Sequence, residues 1–336
     1  MSRWRSIRRW GLRIIMGGLV LVMILAGIGW IWERSEEAAF REIGITPSGQ
    51  MIPVGNHTLH VVASGRGATG VLLISGAGED LQGWEKLQSL LSESTRVISY
   101  DRPGFGWSPP REGDLTFDAA VEDVEGLLAA SGLFDGPPIL IGHSLGGQIA
   151  RRFAYAHPNA VAGLILLDAS PDEIAGLVKA EMTIKRLIAP LGSVGLFRWL
   201  YYRDYPGLAR NDELVQGHFR ASASYWRAMR RELTGLLHSR PVVVPPGGVG
   251  DLPLTFFLAK SDVPERMPEL VRSAIDELNA EKRLIPQEST RGKLVELNSD
   301  HYVHLDHPDT VVAEVLRMIS VVDSLRGSGI QSDARR

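Results

Sequence analysis

The 336-residue sequence contains no cysteine. Disulfide bonds, a thiolate nucleophile and metal sites built on cysteine are therefore excluded, and any nucleophile must be oxygen or nitrogen. A strong charge of either sign is also missing, because 36 basic residues stand against 39 acidic ones and the formal net charge is −3. This balance gives no overall electrostatic footprint for nucleic acid, so no nucleic-acid partner is expected. Internal repeats and low-complexity tracts are absent as well.

One long apolar run is present near the N-terminus. Residues 14–32 carry no charge, and a helix rising ~1.5 Å per residue makes them roughly 28 Å long, close to the ~30 Å hydrocarbon core of a bilayer. Acidic residues follow the run, and five arginines precede it: Arg3, Arg5, Arg8, Arg9 and Arg13. The asymmetry predicts a single-pass transmembrane helix over 14–32, with residues 1–13 cytoplasmic and the remaining chain on the extracytoplasmic side.

A cleaved secretory signal and a buried core helix are the alternatives for this run. A signal has a shorter apolar region and ends in small residues, whereas this run ends in Trp30-Ile31-Trp32. A core helix rarely begins with so many arginines. The bilayer is therefore the expected partner of residues 14–32, and residues 33–50, which contain Pro47-Ser48-Gly49, are expected to form a linker.

Downstream of the linker, short apolar runs alternate with amphipathic helical patterns. The strands predicted from these runs are 51–54, 59–63, 71–74, 96–100, 138–141, 161–167, 254–258 and 293–297. The alternation predicts an α/β domain over residues 51–325, with a mainly parallel sheet of about eight strands covered by helices on both faces. Residues 172–246 depart from the pattern and predict a helical lid insertion rich in aromatics. A flexible tail is expected over 326–336.

The sequence Gly142-His143-Ser144-Leu145-Gly146-Gly147 matches the pattern G-x-S-x-G between a predicted strand and a predicted helix. A nucleophile on such a sharp turn is forced into strained backbone angles, and the neighbouring glycines supply the space that the turn needs. The turn exposes the Ser144 hydroxyl and directs the following amides and the positive end of the helix towards the same point. The motif predicts a nucleophile elbow made of Gly142, His143, Ser144 and Gly146.

The sequence from about residue 50 to residue 320 resembles the α/β-hydrolase superfamily. The segments that carry the resemblance are GHSLGG at 142–147, YDRPGFGWS at 100–108, SGAG at 75–78 and SDHYVHLDHP at 299–308. The stretches 47–65 and 75–84 are also similar to a bacterial, often membrane-anchored subgroup. The chain departs from the commoner pattern at Ser75, where relatives have histidine, and at Asp300, where they have glycine. The resemblance implies an α/β-hydrolase fold and a serine nucleophile.

Ser144 needs a general base within hydrogen-bonding reach, because its hydroxyl is protonated at neutral pH. His301 follows the last predicted strand at the carboxyl edge of the sheet, and the order Ser, acid, His of the superfamily points to it. Two carboxylates can orient this histidine. Asp262, after strand 254–258, is at the usual acid position of the superfamily, and Asp168, after strand 161–167, is at a place that some lipases use. Spacing does not separate them, and Asp262 is the first choice.

Two backbone amides are expected to stabilise an oxyanion. One belongs to Leu145, directly after the nucleophile, and the other to Ala77, in the loop after strand 71–74. His304 and His307 lie close to His301, but no acidic metal-binding spacing accompanies them, so neither a metal nor another cofactor is expected.

The combined prediction is a serine hydrolase that cleaves a carboxylic ester through an acyl-enzyme intermediate. The aromatic insertion and the anchor favour a small, lipophilic, ester-like substrate. A serine nucleophile argues against the dehalogenase and epoxide-hydrolase branches, which resemble this fold but use aspartate. The alternatives are a non-catalytic binding protein on the same scaffold, a structural membrane protein, or a peptidase, amidase or lactonase of the same fold.

Overall fold

The computed structural model describes residues 2–42, 46–113, 115–130, 132–171, 176–204, 219–240, 242–260 and 267–327. The chain divides into two compact units. One comprises residues 1–46 and 187–230, and the other comprises residues 47–186 and 231–336. The predicted lid boundaries of 172 and 246 are wider than the inserted segment that clusters with the N-terminal helix.

The second unit contains one eight-stranded sheet in the order β1-β2-β4-β3-β5-β6-β7-β8. The strands are β1 (Gln50–Val54), β2 (His57–Ser64), β3 (Val71–Ile74), β4 (Val97–Tyr100), β5 (Ile139–His143), β6 (Gly163–Leu167), β7 (Leu254–Ala259) and β8 (Gly292–Leu297). β1 and β2 form an antiparallel hairpin, β2 is antiparallel to β4, and all other neighbours are parallel. The predicted mainly parallel sheet of about eight strands is confirmed.

Ten α-helices have both of their ends within the described residues. They are α1 (Ser2–Glu42), α2 (Glu85–Ser92), α3 (Phe117–Ala129), α4 (Leu145–Ala156), α5 (Gly176–Ile188), α6 (Leu196–Asp204), α7 (Ala223–His238), α8 (Glu269–Lys282), α9 (Val303–Asp306) and α10 (Pro308–Gly327). Short 3-10 helices occur at Leu81–Trp84, Pro158–Ala160, Ala189–Val194 and Ile285–Glu288.

Helices cover both faces of the central part of the sheet, and strands β3 to β7 are buried at every position. Successive side chains of a strand point to opposite faces. Leu72 packs in one core cluster, with residues of α3 and α4, whereas Leu73 packs in a second cluster, with residues of α2 and α10. Because neither face of these central strands meets water, they lack the regular alternation of polar and apolar residues seen in half-exposed strands.

The parallel strands place several loops at one edge of the sheet. In the register of β5 and β6, His143 stands beside Leu167, so the residues that follow, Ser144 and Asp168, leave the sheet side by side. The loop after β3 and the segment after β8 emerge from the same carboxyl edge, where open α/β sheets bind their ligands.

Helix α1 extends well past the predicted membrane-spanning run. Its section Leu12–Phe40 is long and apolar enough to cross a membrane, with a mean hydropathy of 2.5 in its most apolar window. Residues 33–42, expected as part of the linker, are helical instead. The physical reason is that Glu and Ala are good helix formers and that this section packs one face, including the buried Glu33 and Phe40, against the inserted segment.

Candidate active site

Ser144 lies at the turn between β5 and α4, as the motif predicts. Its backbone angles are φ 50° and ψ −114°, a conformation that L-residues rarely adopt. The turn is held by backbone hydrogen bonds, since the Ser144 amide donates to the Leu167 carbonyl at 3.1 Å and the Ser144 carbonyl accepts from Ser170 at 3.3 Å. The hydroxyl-bearing residue is therefore fixed between β5 and β6.

The glycines of the motif are required by close backbone packing. A Cβ on Gly142 would lie 2.4 Å from the Gly146 carbonyl oxygen, and one on Gly146 would lie 2.0 Å from the Ile74 carbonyl oxygen. Both distances are far below van der Waals contact. Any larger side chain would force α4 away from β3 and β5 and would displace Ser144.

His301 follows β8, and its imidazole meets the carboxylate of Asp168. The distance from His301 Nδ1 to Asp168 Oδ2 is 2.6 Å. The histidine side chain is 45% exposed while the aspartate side chain is 5% exposed, so the ring is open to solvent on one side and anchored on the other. A carboxylate that accepts from Nδ1 fixes the ring orientation and leaves Nε2 available as a base.

Asp168 has a second cationic partner that the sequence does not reveal. Lys282 Nζ, at the end of α8, lies 2.8 Å from Asp168 Oδ1, and the same oxygen accepts from the Ala259 amide at 3.3 Å. Burial alone would raise the pKa of Asp168, but the hydrogen bond with His301 and the charge of Lys282 hold this pKa below its ordinary value. The carboxylate therefore stays ionised.

Backbone strain is concentrated at this site. Among the described non-glycine residues, only Ser144 and Asp168 have a positive φ, at 50° and 44°. Such conformations cost roughly 1–3 kcal/mol each and cluster where function requires them. Asp262, the first choice for the acid from the sequence, lies outside the described residues.

His143, the residue before the elbow serine, links two parts of the site. Its ring is fully buried. Nδ1 lies 3.0 Å from the Glu79 carboxylate, and Nε2 lies 2.9 Å from the His301 carbonyl oxygen. Both neighbours are hydrogen-bond acceptors, so they hold the His143 ring at its two nitrogens. Burial would raise the pKa of Glu79, but its hydrogen bond with His143 lowers this pKa to about 2. The ring of His143 also lies 4.6 Å from that of His301, which brings the chain on both sides of the site together.

The loop Ser75–Glu79, which carries the predicted oxyanion donor Ala77, is held by an ion pair. Arg102 donates from Nη1 to the Ser75 carbonyl at 2.5 Å, from Nη2 to the Gly76 carbonyl at 2.6 Å, and from Nε to Glu232 at 2.8 Å. The other oxygen of Glu232 accepts from the Gly78 amide at 2.9 Å. The groups that flank Ala77 are thereby fixed, and the amides of Ala77 and Leu145 donate to no acceptor among the described residues.

Sequence patterning missed the role of Glu232. A glutamate beside three arginines, Arg227, Arg230 and Arg231, is expected on a solvated helix face, but Glu232 is 2% exposed and points to the Ser75–Glu79 loop. Its partner Arg102, in the loop after β4, is 3% exposed, and a buried arginine requires an acidic partner, but this burial is not visible in the sequence.

A small cleft opens beside Leu145 in the same unit. Its lining is mostly apolar, with Leu115, Ile149 and Leu236 on its walls and the Arg102–Glu232 pair at one side. Among the described residues, no group of three or more His, Asp or Glu side chains is arranged to hold a metal ion.

Comparison with known proteins agrees with this architecture. The model of the Alpha/beta hydrolase family matches residues 71–315. Lipase LipV of Mycobacterium tuberculosis is 40% identical over 111 residues, 33% of this chain and 41% of that protein. Fluoroacetate dehalogenase of Burkholderia sp. is 30% identical over 129 residues, 36% of this chain and 41% of that protein. The chain thus matches less than half the length of either relative.

Among solved structures, a thermophilic esterase from Thermogutta terrifontis superposes with a TM-score of 0.63 at 20% identity, covering 82% of this chain and 99% of that one. This likeness concerns the fold. The family match covers most of the chain and includes Ser144, Asp168 and His301. The chain therefore belongs to the Alpha/beta hydrolase family.

Proposed function

We propose that the protein is a serine hydrolase that cleaves a carboxylic ester through an acyl-enzyme intermediate, with Ser144 as nucleophile, His301 as base and Asp168 as the orienting acid. The observation that carries the proposal is the 2.6 Å contact between His301 Nδ1 and Asp168 Oδ2, at the carboxyl edge where Ser144 stands on a strained turn. This contact favours Asp168 over Asp262. The match to the hydrolase family supports the reaction class.

In the proposed reaction, His301 Nε2 takes the proton of the Ser144 hydroxyl while the oxygen attacks the ester carbonyl. The resulting imidazolium keeps its Nδ1 proton and donates it in a hydrogen bond to the ionised Asp168 carboxylate, and Nε2 then delivers its proton to the departing alcohol. In the second half, a water molecule gives a proton to Nε2, attacks the acyl group and releases the acid, while the serine oxygen recovers its proton.

The negative oxygen of both tetrahedral intermediates would be stabilised by the amides of Leu145 and Ala77. Leu145 occupies the first position of α4, so its amide also benefits from the positive end of the helix. One such donor typically contributes about 3–4 kcal/mol to the transition state. The ion pair between Arg102 and Glu232 would keep the Ala77 side of this pair in place.

The cleft beside Leu145 supports a lipophilic acyl or alcohol group, because its walls are mostly aliphatic. A lactone, amide or peptide bond would use the same machinery. A binding protein without catalysis would keep the cleft but would not need an ionised aspartate hydrogen-bonded to an exposed histidine, and this contact is the reason why catalysis is the preferred function.

The test is labelling with a fluorophosphonate probe, which reacts only with an activated serine. We expect the wild-type protein to be labelled, Ser144→Ala to remain unlabelled, and Asp168→Asn to react roughly 10³- to 10⁴-fold more slowly. Asp262→Asn is the matched control and should react at nearly the wild-type rate. Folded wild-type protein that takes no label would favour the binding function, and a large loss in Asp262→Asn alone would reassign the acid.

The bond type is resolved by a substrate panel. p-Nitrophenyl esters of graded chain length, a lactone, an anilide and a short peptide should show hydrolysis of the esters, with a dependence of kcat/KM on chain length. Preferential cleavage of the lactone, anilide or peptide would replace the ester in the proposal. Rates independent of chain length would count against a lipophilic pocket.

We also propose that α1 anchors the protein in the membrane through residues 14–32, with its N-terminus in the cytoplasm and the catalytic domain on the extracytoplasmic side. The apolar section Leu12–Phe40 and the arginines before it support this orientation. Protease added outside spheroplasts should digest the catalytic domain. Full protection until the membrane is permeabilised would reverse the orientation.

A further inference from the structure

The C-terminal part of helix α1 packs directly on the inserted segment of its own unit, residues 187–230. The less exposed positions among the described side chains of α1 recur at spacings of three and four residues and therefore form one face: Ala26, Gly29, Trp32, Glu33, Glu36, Glu37 and Phe40. A Cβ on Gly29 would lie 2.1 Å from the Val194 carbonyl oxygen. The helix and the insertion therefore meet backbone to backbone.

A buried ion pair fixes this packing. Glu33 is 1% exposed and Arg198 is 0% exposed, and the two are joined by Nε to Oε2 at 2.7 Å and Nη2 to Oε1 at 2.8 Å. The Ala223 amide donates to the same Glu33 oxygen at 2.7 Å. Leaving either charge without its partner in this position would cost several kcal/mol, so the two segments are expected to stay together.

The packed face begins inside the apolar run. Ala26 lies six residues before Trp32, which corresponds to about 9 Å along a helix. The section before Ala26, residues 14–25, is exposed at every position but spans only roughly 18 Å, less than the ~30 Å of a hydrocarbon core. If all of residues 14–32 lie in the bilayer, the part of the insertion that touches Gly29 must lie within the extracytoplasmic leaflet.

The insertion carries the side chains that such a position needs. Leu187, Ile188, Leu191 and Trp199 are 67%, 37%, 42% and 53% exposed. Leu191 belongs to the 3-10 helix that ends at Val194, the residue in contact with Gly29. These four apolar side chains are unfavourable in water and favourable at a membrane interface.

An aromatic ring is paired with an arginine on each of the two segments. The Arg34 guanidinium lies 4.8 Å from the centre of the Trp30 ring on α1, and that of Arg203 lies 5.5 Å from the Trp199 ring on α6. Tryptophan paired with a cation is typical of the headgroup layer, where the ring contacts acyl chains and the charge contacts phosphate.

We propose that residues 187–199 form a membrane-contacting surface that dips into the phospholipid bilayer beside the anchor helix. The proposal rests on the membrane span of α1 and is independent of the catalytic assignment. It makes the insertion a monotopic element, seated in the lipid interface at the depth that the Gly29–Val194 contact sets.

The absence of cysteine makes the test direct, because one introduced cysteine takes up a label alone. The full-length variants Leu191→Cys, Ile24→Cys and Leu270→Cys are labelled with an environment-sensitive fluorophore and placed in phosphatidylcholine nanodiscs with or without acyl-chain spin-labelled lipid. We expect the labels at 191 and 24 to lose about half of their emission to the quencher. The label at 270, a leucine that is 82% exposed, should be unaffected.

A substitution pair tests the role of the packing. Gly29→Leu, added to Leu191→Cys, should push the insertion off the helix and reduce the quenching at 191. Gly27→Leu is its control, because nothing lies within 4 Å of a Cβ at Gly27, and it should leave the quenching unchanged.

Each remaining result overturns the proposal in a distinguishable way. Quenching at 24 but not at 191 would leave the span intact and remove the lipid-contacting surface. No quenching at 24 would remove the span on which the surface depends, without touching the serine hydrolase. Disulfide-linked dimers of unlabelled Leu191→Cys, formed without lipid quenching at 191, would identify the surface as an interface between two copies.

Discussion

Arg102 directly contacts the loop Ser75–Glu79, which carries the proposed oxyanion donor Ala77. Its planar guanidinium satisfies two carbonyls and a carboxylate at once, in a geometry that a lysine ammonium does not reproduce. It touches no reacting atom in the proposed mechanism, so it is a positioning residue. Its effect should appear in the turnover step and not in substrate binding.

We expect Arg102→Lys to lower kcat roughly 10- to 100-fold with little change in KM, because the amide of Ala77 would be less well aligned in the transition state. Steady-state kinetics on an ester substrate measures both constants. Arg96→Lys is a matched control, since Arg96 also donates to two loop carbonyls, at 2.6 and 2.7 Å, but outside the site. Equal kcat values for the two variants would contradict the positioning role.

His304 makes the folded state sensitive to acid. It is 2% exposed, its ring lies 4.4 Å from Trp84, and its Nδ1 has no hydrogen-bond partner among the described residues. Burial, followed by the charge of His143, lowers the pKa of His304 from 6.5 to about 3. Between these two pKa values, His304 is protonated in the unfolded chain but neutral in the folded protein. The free energy of unfolding is therefore highest above the unfolded pKa of 6.5 and decreases as the pH falls towards the folded pKa.

The wild-type protein should therefore lose about 2 kcal/mol of unfolding free energy through His304 between about pH 7.5 and about pH 5. His304→Leu removes the titrating group and should show a correspondingly flatter dependence. Urea unfolding of the full chain in detergent, followed by tryptophan fluorescence, measures the slope. Parallel curves for the wild type and His304→Leu would contradict the prediction.

At the scale of elements, helix α4 is tied to the 3-10 helix Ile285–Glu288 by a buried ion pair. Arg151 donates from Nε to Glu288 at 2.9 Å, makes a second bond to the same carboxylate, and reaches the Ser170 carbonyl at 3.2 Å. The helix that begins at the nucleophile is thereby connected to the chain that leads into β8 and His301.

Arg151→Met should destabilise the protein by about 3–5 kcal/mol, because it leaves the Glu288 carboxylate buried without its cation. The double variant Arg151→Met/Glu288→Gln should recover part of that loss. Urea unfolding compares the three proteins. If the single variant unfolds at the wild-type midpoint, the ion pair contributes no stability.

The central elements were predictable because their signals are local. The central parallel strands are short, mostly apolar runs, the hairpin turn contains a glycine with positive φ at Gly55, and the elbow motif stands between a strand and a helix. Such patterns depend on the covering of both sheet faces and on backbone sterics, which the sequence expresses directly.

Pairings between distant elements were not predictable. Asp168 and Asp262 both follow strands that end at the same edge, so spacing alone leaves the acid open. Lys282 and Glu232 lie on helices whose rotation is set by packing, and a charged residue gives no sign of which carboxylate or amide it will meet. The extension of α1 through Glu42 likewise depends on the insertion that covers one of its faces.

At the scale of the whole molecule, the proposed membrane anchoring depends on the apolar N-terminal helix. The double substitution Leu21→Arg/Ile24→Arg places two charges in the exposed middle of the apolar run and should cost about 5–7 kcal/mol of insertion free energy. We expect the variant to appear in the alkaline-carbonate supernatant of a membrane preparation, whereas the wild type and Leu270→Arg remain in the pellet. A variant that stays in the pellet would contradict a spanning helix.

The positive φ angles of Ser144 and Asp168 set a limit on engineering for heat tolerance. Relaxing either turn would favour the folded state but would displace a group that the proposed chemistry uses, so durability and turnover conflict at these two positions. Stabilising substitutions should be placed where the backbone is unstrained. Gly83 is one such place, since it has no positive φ and nothing lies within 4 Å of an added Cβ. Alanine there would restrict only the denatured chain.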